Sequence, residues 1–293
     1  MANRRQLVKR RSSVRNIRKI TRTMQLIATA RFQKAMSRAQ ATRPYARTLA
    51  QMVDSVSRTL GEKDHPLLEV NEGDRSAMIL ITSNRGFCGG YNANLLRAGM
   101  ANVKQRRSEG ETVDIHAVGR KGANYLTFMG ETLASRNVGI ADQPRFDQVA
   151  PIADAMMDAY TSKELASVDV CYMRFFSAGT QRPEIMRLLP MEVTPDEGEA
   201  QAETGPVVKY DFYPEPDEIL EDLLPATVRM RLFQCFTDAA VSEQIARMAA
   251  MKAATDSAGD MIRMLTRQYN RARQTSITME LLDIIGGVAA LES

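Results

Sequence analysis

The sequence predicts an α/β protein in which long N- and C-terminal helices pair as an antiparallel coiled coil, with a mostly parallel α/β domain between them in the chain. Three observations predict it. Residues 7–60 contain no glycine and carry apolar residues at steps of three and four, the spacing of one helix face. Residues 76–191 alternate short apolar runs with helical patterns, as a parallel sheet covered by helices requires. Residues 218–285 return to helical spacing over a second long stretch.

In the first segment, residues 1–60, the stripe reads Val14, Ile17, Ile20, Met24, Ile27, then Phe32, Ala35, Ala39, then Ala46, Leu49, Val53, Val56 and Leu60. Pro44 lacks a backbone donor and crowds the preceding turn, which predicts a kink or a break; Gly61 predicts the end. At 1.5 Å per residue such a helix is on the order of 80 Å long, more than a compact domain covers. A second helix of the same kind at the other end of the chain can cover the stripe by pairing with it. Ala28, Ala35, Ala39, Ala249, Ala253 and Ala254 permit close approach, and Met24, Met36, Met248, Met251, Met261 and Met264 are adaptable core filling.

The central domain, residues 76–191, begins with the run Ala77-Met78-Ile79-Leu80-Ile81-Thr82, bounded by turn residues as a buried strand is. Gly86, Gly89 and Gly90 lead into a helix that starts near Asn94 and ends near Arg107. Residues 113–118 predict a second strand, and after Gly119 comes a helix holding Tyr125, Leu126 and Phe128. A longer helix over 147–165, a strand over 168–176, a turn at Ser177-Ala178-Gly179-Thr180 and an edge strand over 184–191 complete the domain.

Residues 192–217 read as an acidic connector. Between Glu192 and Asp222 eleven acids face one base, Lys209, and Pro195, Pro206, Pro214 and Pro216 interrupt the stretch, a solvated composition. The last segment, residues 218–293, carries the stripe Val241, Ile245, Met248, then Ala258, Ile262, Leu265, Tyr269, Ala272. A second run, Ile277, Leu281, Ile284, Val288, Leu291, follows after a step of five, which predicts a phase slip between Ala272 and Ile277.

Composition excludes several function classes. No apolar run reaches the length of a membrane span, and the Arg-rich start has no secretory core. That start resembles an organellar presequence in composition, but its helical pattern runs on unbroken, so it reads as mature protein. Cys88, Cys171 and Cys235 lie far apart, and His65 and His116 are the only histidines, too few ligands for a zinc site or a disulfide framework; no cofactor is expected. The glycine loop at residues 82–92 ends without Gly-Lys-Ser/Thr and lacks the GxGxxG spacing, so a tight packing turn is favoured over a phosphate cradle. Cys88 has no base in view, and GxSxG, HExxH and a paired-carboxylate signature are absent.

The strongest electrostatic feature is the first helix, where residues 1–53 hold fourteen Lys and Arg and no acid. It is read as a solvated coiled-coil face, a nucleic-acid-binding helix, or a docking surface for acidic protein loops. The apolar stripe runs straight through the basic stretch, and Phe32 and Tyr45 are its only aromatic residues. Protein docking is therefore favoured, with a basic coiled-coil nucleic-acid-binding protein as the alternative.

Three blocks of residues carry a family resemblance. Val14-Arg15-Asn16-Ile17-Arg18-Lys19-Ile20-Thr21-Arg22-Thr23-Met24 with Arg43-Pro44-Tyr45 forms the first, and Thr82-Ser83-Asn84-Arg85-Gly86-Phe87-Cys88-Gly89-Gly90-Tyr91-Asn92 the second. The third is Ser242-Glu243-Gln244-Ile245-Ala246-Arg247-Met248-Ala249-Ala250-Met251-Lys252-Ala253-Ala254-Thr255, then Tyr269-Asn270-Arg271-Ala272-Arg273-Gln274, Ile277-Thr278, Glu280 and Gly286-Gly287. Together they resemble the gamma subunit of F-type ATP synthase, in the right order over nearly the whole chain. Gln is common in the family where Met279 stands, and small residues where Thr29 and Thr275 stand.

The resemblance implies a rotor: residues 1–60 and 218–293 as shaft helices inside a ring of three alpha and three beta subunits, flanked by a Rossmann-like domain that binds no nucleotide. It implies rotation by a proton- or sodium-fed c ring, with catalysis left to the partners. By matching positions, Arg247, Arg273, Gln274 and Thr278 would touch beta-subunit catch loops, and Arg22 and Met24 would lie in the bearing. Tyr210 and Phe212 would belong to the foot on the c ring and the epsilon subunit. No nucleic acid and no cofactor is implied. The implied location is the cytoplasmic side of a bacterial cell membrane, reached only through the complex, or an organellar membrane in the mature form.

Overall fold

The computed structural model describes residues 4–60, 65–140, 143–191 and 216–291. The chain divides into two compact units, Met1–Ala30 with Arg247–Ser293, and Arg31–Ala246. Its elements in order are α1 (Arg4–Leu60), β1 (Arg75–Ile81), α2 (Tyr91–Ser108), β2 (Thr112–Val118), α3 (Arg120–Phe128), β3 (Leu133–Asn137), α4 (Phe146–Thr161), β4 (Ser167–Ser177), β5 (Thr180–Leu189) and α5 (Pro216–Leu291). The acidic connector at 192–215, with Tyr210 and Phe212, lies outside the described residues, as does Gly61.

In the unit Arg31–Ala246 the five strands run in the order β3-β2-β1-β4-β5. The first four are parallel, and β5 returns antiparallel to β4 through a tight turn. Successive strand side chains point to opposite faces, and β1 uses this to feed two cores. Ala77, Ile79 and Ile81 join Val149, Ala153 and Tyr160 of α4 and Leu224, Val228 and Leu232 of α5. Met78 and Leu80 join Leu95 and Val103 of α2 and Ala123 and Leu126 of α3. A strand buried on both faces needs the continuous apolar run that the sequence carries. Close packing requires a glycine at position 99, where a Cβ would come within 2.3 Å of the Leu80 side chain.

One strand was not foreseen, and of the two outcomes expected at Pro44 the break does not occur. The strand β3 was not expected, because Leu-Ala-Ser-Arg-Asn has no apolar run; it forms as an edge strand whose half-buried Leu133, Ser135 and Asn137 alternate with exposed neighbours. Nor does Pro44 break the first helix, which runs through it. The proline is exposed, and the Thr42 hydroxyl donates to the carbonyls of Arg38 and Ala39 at 3.0 and 3.2 Å in the turn before it. Burial of Ala39, Leu49 and Val53 on the same helix offsets the lost backbone bond.

In the unit formed by residues 1–30 and 247–293, α1 and α5 lie antiparallel. The Thr255 hydroxyl is 2.8 Å from that of Thr21, Gly259 faces Arg18, and the Arg11 guanidinium sits 5.1 Å from the Tyr269 ring centre. On α1 the buried positions are Leu7, Val14, Thr21 and Ala28, a strict seven-residue repeat that imposes a left-handed supercoil. The expected stripe differs: Ile17, Ile20 and Ile27 are exposed and Met24 half-buried. Leu7 and Val14 fill the seam with Leu265 toward the start of α1, the small Thr21 and Ala28 fill it further on, where they let two backbones approach, and Ile17, Ile20 and Ile27 are turned outward.

The phase slip is also corrected. On α5 the covered positions are Thr255, Ala258, Ile262, Leu265, Tyr269, Ala272 and Ser276, alternating steps of three and four without interruption. Ser276 takes the inward position, and Ile277, which the step of five had placed there, is 51% exposed.

Candidate functional site

The residues picked from the sequence fall into three groups. Arg273, Gln274 and Thr278 are exposed together on α5, with the Thr278 hydroxyl donating to the Gln274 carbonyl at 3.0 Å. Arg22, exposed, donates to the Gln25 side chain at 3.1 Å, and Met24 beside it is half-buried; these two lie near the Thr21–Thr255 contact, well along the helix from Arg273. Arg247 is different, being only 6% exposed, so it reaches outward only by leaving its packed position.

Around Gln274 the sequence reading had found polar contacts and missed a larger feature. Arg11 lies over Tyr269 and Leu7 shares a cluster with Ala272, so α1, described from Arg4, covers α5 only as far as about Ser276. The last helix continues to Leu291. Among the described residues no second helix covers it, and every described side chain from Ile277 to Val288 is exposed, among them Ile277, Met279, Leu281, Leu282, Ile284, Ile285 and Val288. Apart from Thr278, Glu280 and Asp283 the stretch is apolar or glycine, and contiguous exposed apolar surface of this kind marks an interaction site. The signal was present in the sequence as Leu281-Leu282 and Ile284-Ile285, adjacent pairs that no single stripe can bury.

The glycine loop is a packing device with an exposed tip. Gly119, at φ +86°, sits where a Cβ would come within 2.2 Å of the Thr82 carbonyl oxygen. The Thr82 hydroxyl donates to the Val118 carbonyl at 2.6 Å and accepts from the Gly122 N–H at 2.9 Å. Cys88 is buried, 3.3 Å from the Asn92 amide nitrogen, and that side chain also accepts from the Ser83 N–H at 3.0 Å. These bonds hold Phe87 at φ 61°, a left-handed conformation costly for a bulky residue, with its ring exposed. Sequence reasoning missed Phe87, because nothing in the spacing tells an outward aromatic from an inward one.

In open α/β sheets ligands bind beyond the carboxyl ends of the strands where the order reverses, here beside β1 and β4. On the other side of β1, over the ends of β1 and β2, Phe236, Ala239, Ala240 and Glu243 of α5 line a pocket with Thr82, Tyr91, Val118 and Gly119, and about 30 Å³ remains, room for about one water. The Tyr91 hydroxyl donates to the Ala239 carbonyl at 3.2 Å. Burial pushes the Cys171 thiol up to about 12 and raises Cys235 as well, so both stay protonated. Burial lowers His116, with Asp114 opposing, and its Nδ1 lies 2.8 Å from the Ser135 hydroxyl. Among the described residues no group of His, Cys, Asp or Glu is arranged to hold a metal.

Against known proteins, residues 3–291 match the family model described as ATP synthase. The ATP synthase gamma chain of Rhodopirellula baltica is 45% identical over the full length of both chains. That of Frankia casuarinae is 41% identical over 96% of this chain and 95% of the relative. Among solved structures, the rotor of the Euglena gracilis mitochondrial ATP synthase superposes with a TM-score of 0.61 at 18% identity, covering 94% of this chain and 98% of that one. The central stalk and c-ring structure of the Tetrahymena thermophila enzyme gives 0.56 at 20% identity, over 80% and 99%. At these identities the likeness speaks for the fold.

Proposed function

This chain belongs to the ATP synthase gamma chain family, and from that premise we propose that it is the central rotor shaft of an F-type ATP synthase. It couples rotation of a proton- or sodium-driven c ring to the conformational cycle of three catalytic beta subunits. The observation that carries this reading is the unpaired end of α5, where Ile277, Leu281, Ile284 and Val288 are exposed and call for an apolar sleeve, which an alpha3beta3 hexamer supplies. Further along, the acid-free part of α1 up to Val53 suits acidic loops of the same hexamer.

The mechanism is a population shift. A shaft without threefold symmetry touches three identical beta subunits differently, and each contact biases its subunit toward another affinity state. Arg273, Gln274 and Thr278 are the polar contacts to beta-subunit loops near the sleeve, Arg247 makes such a contact by leaving its packed position, and Arg22 and Met24 lie in the bearing further along α1. In this reading residues 1–60 and 218–293 are the shaft and residues 76–191 the flanking domain. Residues 192–217, with Tyr210 and Phe212, are the foot on the c ring and epsilon subunit.

The chain performs no catalysis in this scheme. The pocket over the ends of β1 and β2 has room for about one water, and the buried Cys171 and Cys235 stay protonated. No described helix is long and apolar enough to cross a membrane, so attachment to the cytoplasmic face of the cell membrane is through the complex. Replacing Arg273, Gln274 and Thr278 together by alanine tests the contacts, since all three are exposed and their loss leaves the fold intact. ATP synthesis by the assembled complex should fall at least tenfold with assembly retained, and unchanged synthesis and hydrolysis rates would refute the assignment.

A further inference from the structure

On the α/β unit, α3 buries Gly122, Ala123 and Leu126 and turns Tyr125, Phe128 and Met129 outward; Phe128 is 86% exposed. Spaced three and four apart, these three make one apolar face of the helix. The neighbouring strand β3 ends the sheet on that side, and among the described residues no strand covers its outer edge. The Gly119 N–H donates to the Asn137 carbonyl at 2.9 Å, so Asn137 turns its backbone toward β2. By the alternation of a parallel ladder, Arg136 turns its own N–H and C=O to the open side. An open edge of this kind is a template for another strand.

Charge decides what kind of strand. Between Gly119 and Ile140 the bases are Arg120, Lys121 and Arg136, and the one acid in the described part, Glu131, is taken by Arg107 at 2.9 Å. The Arg136 side chain stands over the same region, donating to Asn124 of α3 at 2.5 Å. We propose that the edge of β3 and the apolar face of α3 form one docking site for an extended, acidic polypeptide segment of a partner subunit. The segment adds a sixth strand beside β3, lays apolar side chains on Tyr125, Phe128 and Met129, and meets the basic fringe with its acids. Main-chain bonds give such a contact its affinity and the side-chain face its selectivity. The site is independent of the shaft contacts proposed above and stands or falls without them.

The test uses the full chain and a fluorescein-labelled heptapeptide of alternating Glu and Val, with the alternating Lys and Val peptide as control. The acidic peptide should bind at least tenfold more tightly than the basic one. Arg136→Pro removes only the outward amide and leaves the ladder to β2 intact, whereas Phe128→Glu puts a repelling charge on the apolar face. Each should weaken the acidic peptide at least tenfold, with unchanged circular dichroism and melting temperature. In the assembled complex, the Arg136 amide should exchange with deuterium at least tenfold more slowly than in the free chain. Equal binding of the two peptides, unchanged affinity in Arg136→Pro, or equal exchange in free and assembled chain overturns the proposal. If Arg136→Pro fails to fold, Phe128→Glu and the exchange comparison decide it alone.

Discussion

In the α/β unit Ile79, Leu80, Ile115 and Tyr160 are wholly buried, whereas in the helical pair Ile17, Ile20 and Ile27 face outward and Thr21, Ala28, Thr255 and Ala258 hold the seam. The first unit closes its own core from both faces of one sheet. The second buries Leu7, Val14 and Leu265 along one stretch of its seam and only small residues along the rest, and it leaves much large apolar surface outside, as if it were itself the interior of something larger. The difference teaches that apolar content does not say which residues a fold keeps for itself. In the pair, the seven-residue register decides the seam, whether Leu7 and Val14 or Thr21 and Ala28 fill it, and large apolar surface remains exposed.

The largest effect expected is in the closed unit. Leu80 has no exposed surface and packs with Leu95, Val103, Ala123 and Cys171, so Leu80→Ala leaves a cavity in a site held on both sides. Unfolding of the full chain by urea, followed by thiol labelling of Cys171 in the same core, should show a loss of about 3 to 4 kcal/mol. A loss under about 1 kcal/mol would mean that this core collapses around the gap, and the contrast with the helical pair would weaken.

Much of this was legible in the sequence, and the failures have physical causes. Sustained helical spacing gave the two long helices, helped in the first by the absence of glycine, and the β/α alternation gave the parallel sheet, because both signals are repeated many times. The strand β3 escaped because an edge strand needs little apolar character, and Leu133 is its only large apolar residue. The phase slip was misread because Ile277 is more hydrophobic than Ser276, while the seam is set by register and not by hydrophobicity. The contact residues Arg273, Gln274 and Thr278 came from resemblance; their exposure beside a wholly uncovered apolar helix end could be seen only in three dimensions.

An intermediate effect sharpens the comparison from the other side, since the closed unit keeps one carboxyl in an unfavourable place. Asp238, on α5, is pushed up to about 6 by burial, against the pull of Arg43 on α1, the Phe175 N–H and Arg174 on β4, with Glu184 on β5 adding to the rise. Cys235 and Tyr172 lie in the same field. A carboxyl raised on folding binds its proton more tightly in the native state. Its stabilisation is complete below the unfolded value of 3.8 and is lost as the pH rises through about 6. Asp238→Asn keeps the neutral form at every pH. It should be more stable than the parent by about 2 to 3 kcal/mol above pH 7, the gap closing between pH 6 and pH 4. A gap that is constant with pH would show that the carboxyl is not the titrating group.

The smallest effect on the chain alone is expected where the comparison matters most. Leu281 and Ile284 are 54% and 68% exposed on the unpaired end of α5, so replacing both by serine removes little that the free chain buries. Its stability should change by no more than about 0.5 kcal/mol. If the exposed surface exists to be covered, the same pair of substitutions should act in the assembled complex, where each buried leucine or isoleucine contributes about 2 kcal/mol of apolar transfer. The expected outcome is a complex that assembles but in which ATP hydrolysis is poorly coupled to ion pumping, measured as the ratio of the two rates. A free chain destabilised as strongly as by Leu80→Ala would show that this helix end folds back on its own molecule. The helical pair would then be a closed unit like the other, and the contrast between them would be gone.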